Sequence, residues 1–224
     1  MQHKTLEAKS AFMAVLVAIL VSIGGIVEIV PLYAVQEQIV TIEDVKPYRP
    51  LELEGRDIYV REGCYTCHSQ AVRPFRDETE RYGPYSKAGE YVYDRPFQFG
   101  SKRTGPDLHR EGGKNKDSWH YLHFKNPRDT SPGSIMPNYP WLYTSKLDTS
   151  LTVKKLQVLA QLGTPYTEKD MEPEKVAKRL EQDAKRIAER ISRDLGEEVP
   201  HDTEVIALIA YMQKLGKDIK WRDK

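Results

Sequence analysis

Cys64-Tyr65-Thr66-Cys67-His68 is a C-x-x-C-H stretch, and the rest of the chain is read outward from it. The spacing has a chemical reason. Two thiols separated by two residues can each form a thioether to one vinyl group of a haem, and the following histidine then lies beneath the ring as the proximal iron ligand. The stretch therefore predicts one covalently bound haem c on Cys64 and Cys67, with His68 on the iron. A thioredoxin-like dithiol needs a preceding strand in a βαβ context, which these flanks do not supply. A zinc site needs further ligands, and Cys64 and Cys67 are the only 2 cysteines in the chain. With both cysteines used, no disulfide framework is available.

The chain has 224 residues and a net charge of +1, enough for one modest domain plus extras and no signal for nucleic-acid binding. Its overall composition is too polar for a polytopic membrane protein, but the N-terminal stretch differs. Ala11 to Val27 carries no charge, and past Glu28 the apolar run continues to about Val35. That exceeds the roughly 20 residues needed to cross a hydrocarbon core. Lys4 and Lys9 precede it, and Glu37, Glu43 and Asp44 follow it. The positive-inside rule then puts the N-terminus in the cytoplasm and the remainder outside. A cleavable signal peptide is the alternative; its apolar core is normally shorter, and no A-x-A site follows here. Glu28 reads as a carboxylate near the outer boundary reaching for water, with contact to a partner helix as the sharper reading. Pro31 is expected to kink or end the helix. The plan is an anchor over residues 1–36, a connector over 37–52 and a haem domain over 53–224.

Leu53 to Gly63 reads as a short helix bracketed by Gly55 and Gly63, with Gly63 letting the backbone approach the porphyrin. Ala71 to Lys102 has no helical period and reads as an ordered insertion. Its arginines Arg73, Arg76 and Arg95, with Arg103, are candidates for haem propionates or for ion pairs with Asp77, Glu78 and Asp94. Pro106, in Gly105-Pro106-Asp107-Leu108, is the candidate whose carbonyl fixes the proximal imidazole; a plain turn is the alternative. A helix capped by Asp117 or Ser118 runs to about Lys125, with Trp119, Leu122 and His123 on one side.

Met136 lies in the proline-bounded stretch Ser134-Ile135-Met136-Pro137-Asn138-Tyr139-Pro140 and is the candidate sixth ligand, because a thioether suits a closed haem of raised potential. Met171, Met212, His109, His120, His123 and His201 compete. Helices are further expected over Thr152–Leu162, over Glu168–Leu195 with the stripe Val176, Leu180, Ala184, Ile187, Ile191 and Leu195, and from Asp202 or Thr203 through Leu215. The last is expected to cross the helix before the haem motif.

VSIGGIVEIVPL in the anchor, RDIYVREGCYTCHSQAVRPFRDETERYGPYS around the motif, YDRPFQFGSKRTGPDLHREGG, and NPRDTSPGSIMPNYPWL around Met136 together resemble the membrane-anchored monohaem subunit (subunit II) of cbb3-type cytochrome c oxidases. The resemblance implies a mostly α architecture: one transmembrane helix plus a class I cytochrome c-like domain with insertions. It implies thioethers at Cys64 and Cys67 and axial ligation by His68 and Met136. It also implies electron transfer toward a catalytic haem-copper subunit, an additional c-type cytochrome subunit as donor, and a place in the bacterial inner membrane with the haem domain in the periplasm. A stand-alone anchored cytochrome, or the small cytochrome c subunit of a nitric oxide reductase, is the alternative. No substrate pocket, nucleophile or proton relay is evident, so oxygen chemistry would belong to a partner. The charged helix at about 167–198 looks like an insertion relative to the family pattern.

Overall fold

The computed structural model describes His3 and residues 7–34, 42–100 and 102–219. Lys4, Val35, Glu37 and the first part of the expected connector (37–41) lie outside the described residues. The chain divides into two compact units, Met1–Val40 and Thr41–Lys224.

The first unit is helix α1, Ser10–Ala34. Its 25 residues rise roughly 37 Å at 1.5 Å each. Among the described residues it contains the one span, Ser10–Pro31, that is long and apolar enough to cross a membrane. Pro31 does not end it: the helix continues to Ala34. So close to the C-terminus, the proline removes a single hydrogen bond of the ladder. Glu28 is exposed on this helix.

In the second unit, α2 (Pro50–Arg61) begins before the expected Leu53. Proline is preorganised for the first helical position, and Glu52 reaches back to accept the Arg49 amide at 2.8 Å. Gly55 is therefore inside the helix, where it has a different task. It is crossed there by α8 (Glu204–Lys214), the element expected to close the core. A Cβ on Gly55 would stand 1.9 Å from the Ala207 carbonyl oxygen and 2.9 Å from the Tyr211 Cβ. The absent side chain sets how closely the two backbones approach.

Helix α8 is buried from Glu204 to Met212. Around it pack α2, α4 (Asp117–Lys125) and α7 (Pro173–Leu195). Between α2 and α4 lies α3 (Arg76–Tyr82), in the stretch where no helix was expected. Seven residues are too few to show a hydrophobic period. Its local support is electrostatic instead: Asp77 and Glu78 in the first turn, Arg81 in the last, and an Arg76–Glu80 pair at 2.7 Å. Helix α4 buries Ser118, His120, Tyr121 and Phe124. The residues expected to share one side of it, Trp119, Leu122 and His123, are half-buried, with the Trp119 and His123 rings stacked at 4.5 Å. A single turn, α5 (Pro127–Thr130), follows, and then α6 (Thr152–Gln161). Leu156 of α6 is buried with Leu53 and Val176 in a small second cluster.

The charged rod starts later than its pattern suggested. Glu168–Asp170 form a separate 3₁₀ turn, and Pro173 occupies the first position of α7. Its stripe packs on the domain, with Val176, Ala184, Ile187 and Ile191 buried and Leu180 and Leu195 partly so. Arg49 and Arg186 both pair with the buried Asp183, and Arg190 pairs with Asp117 of α4 at 2.6 Å.

Three substitutions check this packing by denaturant unfolding of the full chain. Gly55→Ala forces α2 and α8 apart and should cost about 1–3 kcal/mol or more, as overpacking does. Ile191→Ala should cost about 2–5 kcal/mol through the cavity it leaves, while Arg193→Ala on the exposed face of α7 should stay within about 0.5 kcal/mol. A silent Ile191→Ala would mean that the stripe does not pack on the domain.

Candidate functional site

Gly63 ends α2 in the left-handed region at φ +71°. That backbone conformation itself asks for glycine; within the chain a Cβ there would meet only Thr66 Cγ2, at 3.9 Å. The chain then makes one 3₁₀ turn, Cys64–Thr66. The Cys67 and His68 amides both donate to the Cys64 carbonyl, at 3.2 and 3.0 Å. This turn brings both thiols and the imidazole into one short loop. Cys64 is half-buried against the helical core and Cys67 is exposed. Burial, with Glu62 nearby, pushes the Cys64 thiol up to about 12. A redox-active dithiol needs the opposite shift.

The His68 Nδ1 stands 2.8 Å from the Pro106 carbonyl oxygen. A carbonyl only accepts, so Nδ1 carries the hydrogen, and the lone pair of the neutral ring is on Nε2. Burial lowers the His68 pKa, which favours that neutral form. Gly105, which the sequence reading passed over, makes the approach feasible. A Cβ on it would lie 2.2 Å from His68 Cε1 and 2.7 Å from Nδ1. Two backbone bonds hold the segments together: the Gly105 amide to the Cys67 carbonyl at 3.0 Å, and the Leu108 amide to the Ser69 carbonyl at 2.9 Å.

Met136 is half-buried and packs on the same core as Cys64 and Leu108. Its amide donates to Ser134 Oγ at 3.2 Å. The rest of its loop is tied down nearby. The Tyr139 amide donates to the Phe124 carbonyl at 3.0 Å, and Trp141 Nε1 donates to Glu62, just before the motif, at 3.1 Å. Burial first, then the electrostatic influence of Cys64 and Cys67, raises the Tyr139 phenol to about 12.

The competing ligands are largely occupied. Met212 is in the core and Met171 lies against the second cluster. His109 is buried, with Nδ1 2.5 Å from Ser86 Oγ and 2.9 Å from the Tyr91 hydroxyl. His120 is buried but not occupied: its Nε2 makes no hydrogen bond, with Glu111 3.8 Å away. His201 is half-buried after α7. His123 is the histidine whose titration feels His68; burial first, then that neighbour, lowers it to about 4, while its Nδ1 meets Thr130 Oγ1 at 2.6 Å. Of the arginines considered for propionates, Arg73 and Arg103 pair with Glu78 and Arg76 with Glu80, while Arg95 is exposed. Asp94 pairs instead with the buried Arg56, at 2.5 Å.

These residues fit a haem by their donor chemistry: a neutral imidazole with Nε2 available, two thiols on one turn, and a half-buried thioether on a secured loop. Among the described residues no three His, Cys, Asp or Glu side chains converge as a metal-ion site, so a zinc reading finds no ligand set.

Residues 3–219 match the family described as cytochrome c oxidase, mono-heme subunit/FixO. No curated protein matches the chain. The matched family is that of an oxidase subunit carrying one haem, which implies a complex with a catalytic subunit and a role in electron transport. With its mostly helical haem-type domain and its apolar N-terminal helix, the chain belongs to the mono-haem FixO family of cytochrome c oxidase subunits.

Proposed function

We propose that the chain is the electron-transfer subunit of a cbb3-type haem-copper oxidase, with Cys64 and Cys67 holding one haem c through thioethers and His68 and Met136 as the axial pair. The observation that carries this reading is the 2.8 Å contact between His68 Nδ1 and the Pro106 carbonyl, which leaves Nε2 as the ring's free donor. The haem supplies a one-electron Fe(III)/Fe(II) couple.

The chain's own residues bind, orient and exclude water. Pro106 fixes the plane of the imidazole and keeps its proton on Nδ1, so His68 has no proton to exchange during turnover. Gly105 leaves the space that this orientation needs. Met136 offers a neutral thioether, which favours the reduced state, and the anchored Tyr139 and Trp141 restrain the loop that presents it. The exposed Cys67 and Tyr65 keep this edge of the site near the surface, where an electron can pass to a neighbour.

Electrons arrive from an additional c-type cytochrome subunit and leave for the catalytic subunit, which reduces oxygen; this chain performs no oxygen chemistry. Helix α1 is its single pass through a bacterial inner membrane. Lys9 precedes the helix, and Glu43 and Asp44 follow it, which supports a periplasmic haem domain.

Absorption spectra of the purified chain and its Met136→Ala variant test the axial pair. The oxidised wild type should show the weak near-infrared sulfur-to-iron band, and the variant should lose it and show a lower potential. A low-spin wild type without the band would replace Met136 by a histidine, with His123 the first to examine. The haem-to-protein ratio of Gly105→Ala tests the proximal side. Its added methyl overlaps His68, at a cost of about 1–3 kcal/mol, and haem content should fall well below wild type. An unchanged ratio and spectrum would mean that His68 does not need this cleft.

A further inference from the structure

Pro106 has no amide hydrogen with which to hold itself in place. Its carbonyl stays against His68 because its neighbours are held, and next to it stands Asp107, whose side chain has no exposed surface. Asp107 Oδ2 accepts from Ser69 Oγ at 2.6 Å and from the Ala71 amide at 2.8 Å, and Oδ1 accepts from the His109 amide at 2.9 Å. One carboxylate thus fastens the chain just after His68 to the chain just after Pro106.

Arg103 completes the clasp from the other side of Pro106. Its Nε donates to Ser69 Oγ at 2.7 Å, and its Nη2 donates to the Ala71 carbonyl at 2.9 Å and to Glu78 at 2.7 Å. That Nη2 lies 3.5 Å from Asp107 Oδ2, and the guanidinium sits over the Tyr82 ring at 5.2 Å. Glu78 also accepts the Arg73 amide at 2.9 Å and pairs with the Arg73 side chain. Arg103 foremost holds the Glu78 carboxyl down at about 2, so Glu78 stays charged at neutral pH. Two carboxylates and two guanidiniums balance beside the proximal histidine; Asp107, Glu78 and Arg103 are largely shielded from water, and Arg73 is exposed.

We propose that Asp107 and Arg103 are positioning residues for His68: together they press the Pro106 carbonyl onto Nδ1, and their opposed charges set how strongly the imidazole donates to the iron. This rests on the assignment of His68 as the haem ligand. A negative charge near the ring favours the oxidised iron, and a positive charge favours the reduced one. The balance therefore sets the reduction potential through His68.

Redox titration of the full-length, haem-loaded chain in detergent tests this with Asp107→Asn, Arg103→Met and Arg103→Lys, recording the near-infrared sulfur-to-iron band throughout. Asp107→Asn removes a negative charge and should raise the midpoint potential. Arg103→Met uncovers Asp107 and Glu78 and should lower it. Arg103→Lys keeps the charge and should lie closer to wild type than Arg103→Met does. A purely structural clasp predicts otherwise: loosening it weakens the His68–Pro106 bond and raises the potential in every variant. Shifts of one sign, no shifts, or loss of the band in the Arg103 variants would overturn the proposal. If Asp107→Asn fails to load haem, the order of the two Arg103 variants decides by itself. A wild type without the band would refute the His68/Met136 pair itself, a result distinct from these.

Discussion

The approach of α2 to α8 at Gly55 is the constraint on which the haem domain depends. The Ala207 carbonyl occupies the space where a side chain on Gly55 would begin. This contact sets the separation of the two helices, and the direction of α2 then sets where its C-terminal end delivers Cys64. The same helix pins the segment leading toward Gly105. Arg56, the residue after Gly55, is buried against Asp94 and donates to the Pro96 carbonyl. Removing one partner of such a buried pair typically costs about 3–5 kcal/mol, because the other charge is left without compensation. One face of α2 thus serves the core while its neighbouring positions organise the loops around His68.

The site is a division of labour between backbone and side chains. Backbone bonds make the turn that carries the thiols and tie residues 67–69 to residues 105–108. The electronics rest on the His68 side chain: the Pro106 backbone carbonyl selects its tautomer, and burial favours the neutral ring. The charged rod α7 packs on the helices that position these segments. It covers α4, α2 and α8 with its apolar stripe and presents its remaining charges outward.

What the sequence disclosed follows from how local each feature is. C-x-x-C-H is a five-residue signature, and the Gly-Pro pair pointed to Pro106, whose carbonyl does stand against His68. The α7 stripe was legible because 23 residues give the period room to repeat. Helix α3 was not, because its seven residues do not. Gly63 has a reason that the sequence did not disclose, its left-handed backbone, because close approach and positive φ leave the same letter in the chain. Gly55 read as a boundary because its partner Ala207 is far away in sequence. The clasp was legible only in part: Glu78, 25 positions from Arg103, was among the ion-pair partners considered for the arginines, but charged residues in a polar stretch read as surface pairs or as propionate partners. Their burial becomes visible only once the segments are folded together.

The central claim is that Cys64 and Cys67 hold a haem covalently and His68 sits on its iron. The intact mass of the purified chain after denaturation and acid extraction tests it most directly. The account predicts a mass raised by one haem, with the haem still attached after extraction and released from one thioether in each of Cys64→Ala and Cys67→Ala. A denatured chain at the mass of its amino acids alone, isolated from cells able to mature c-type cytochromes, would contradict it.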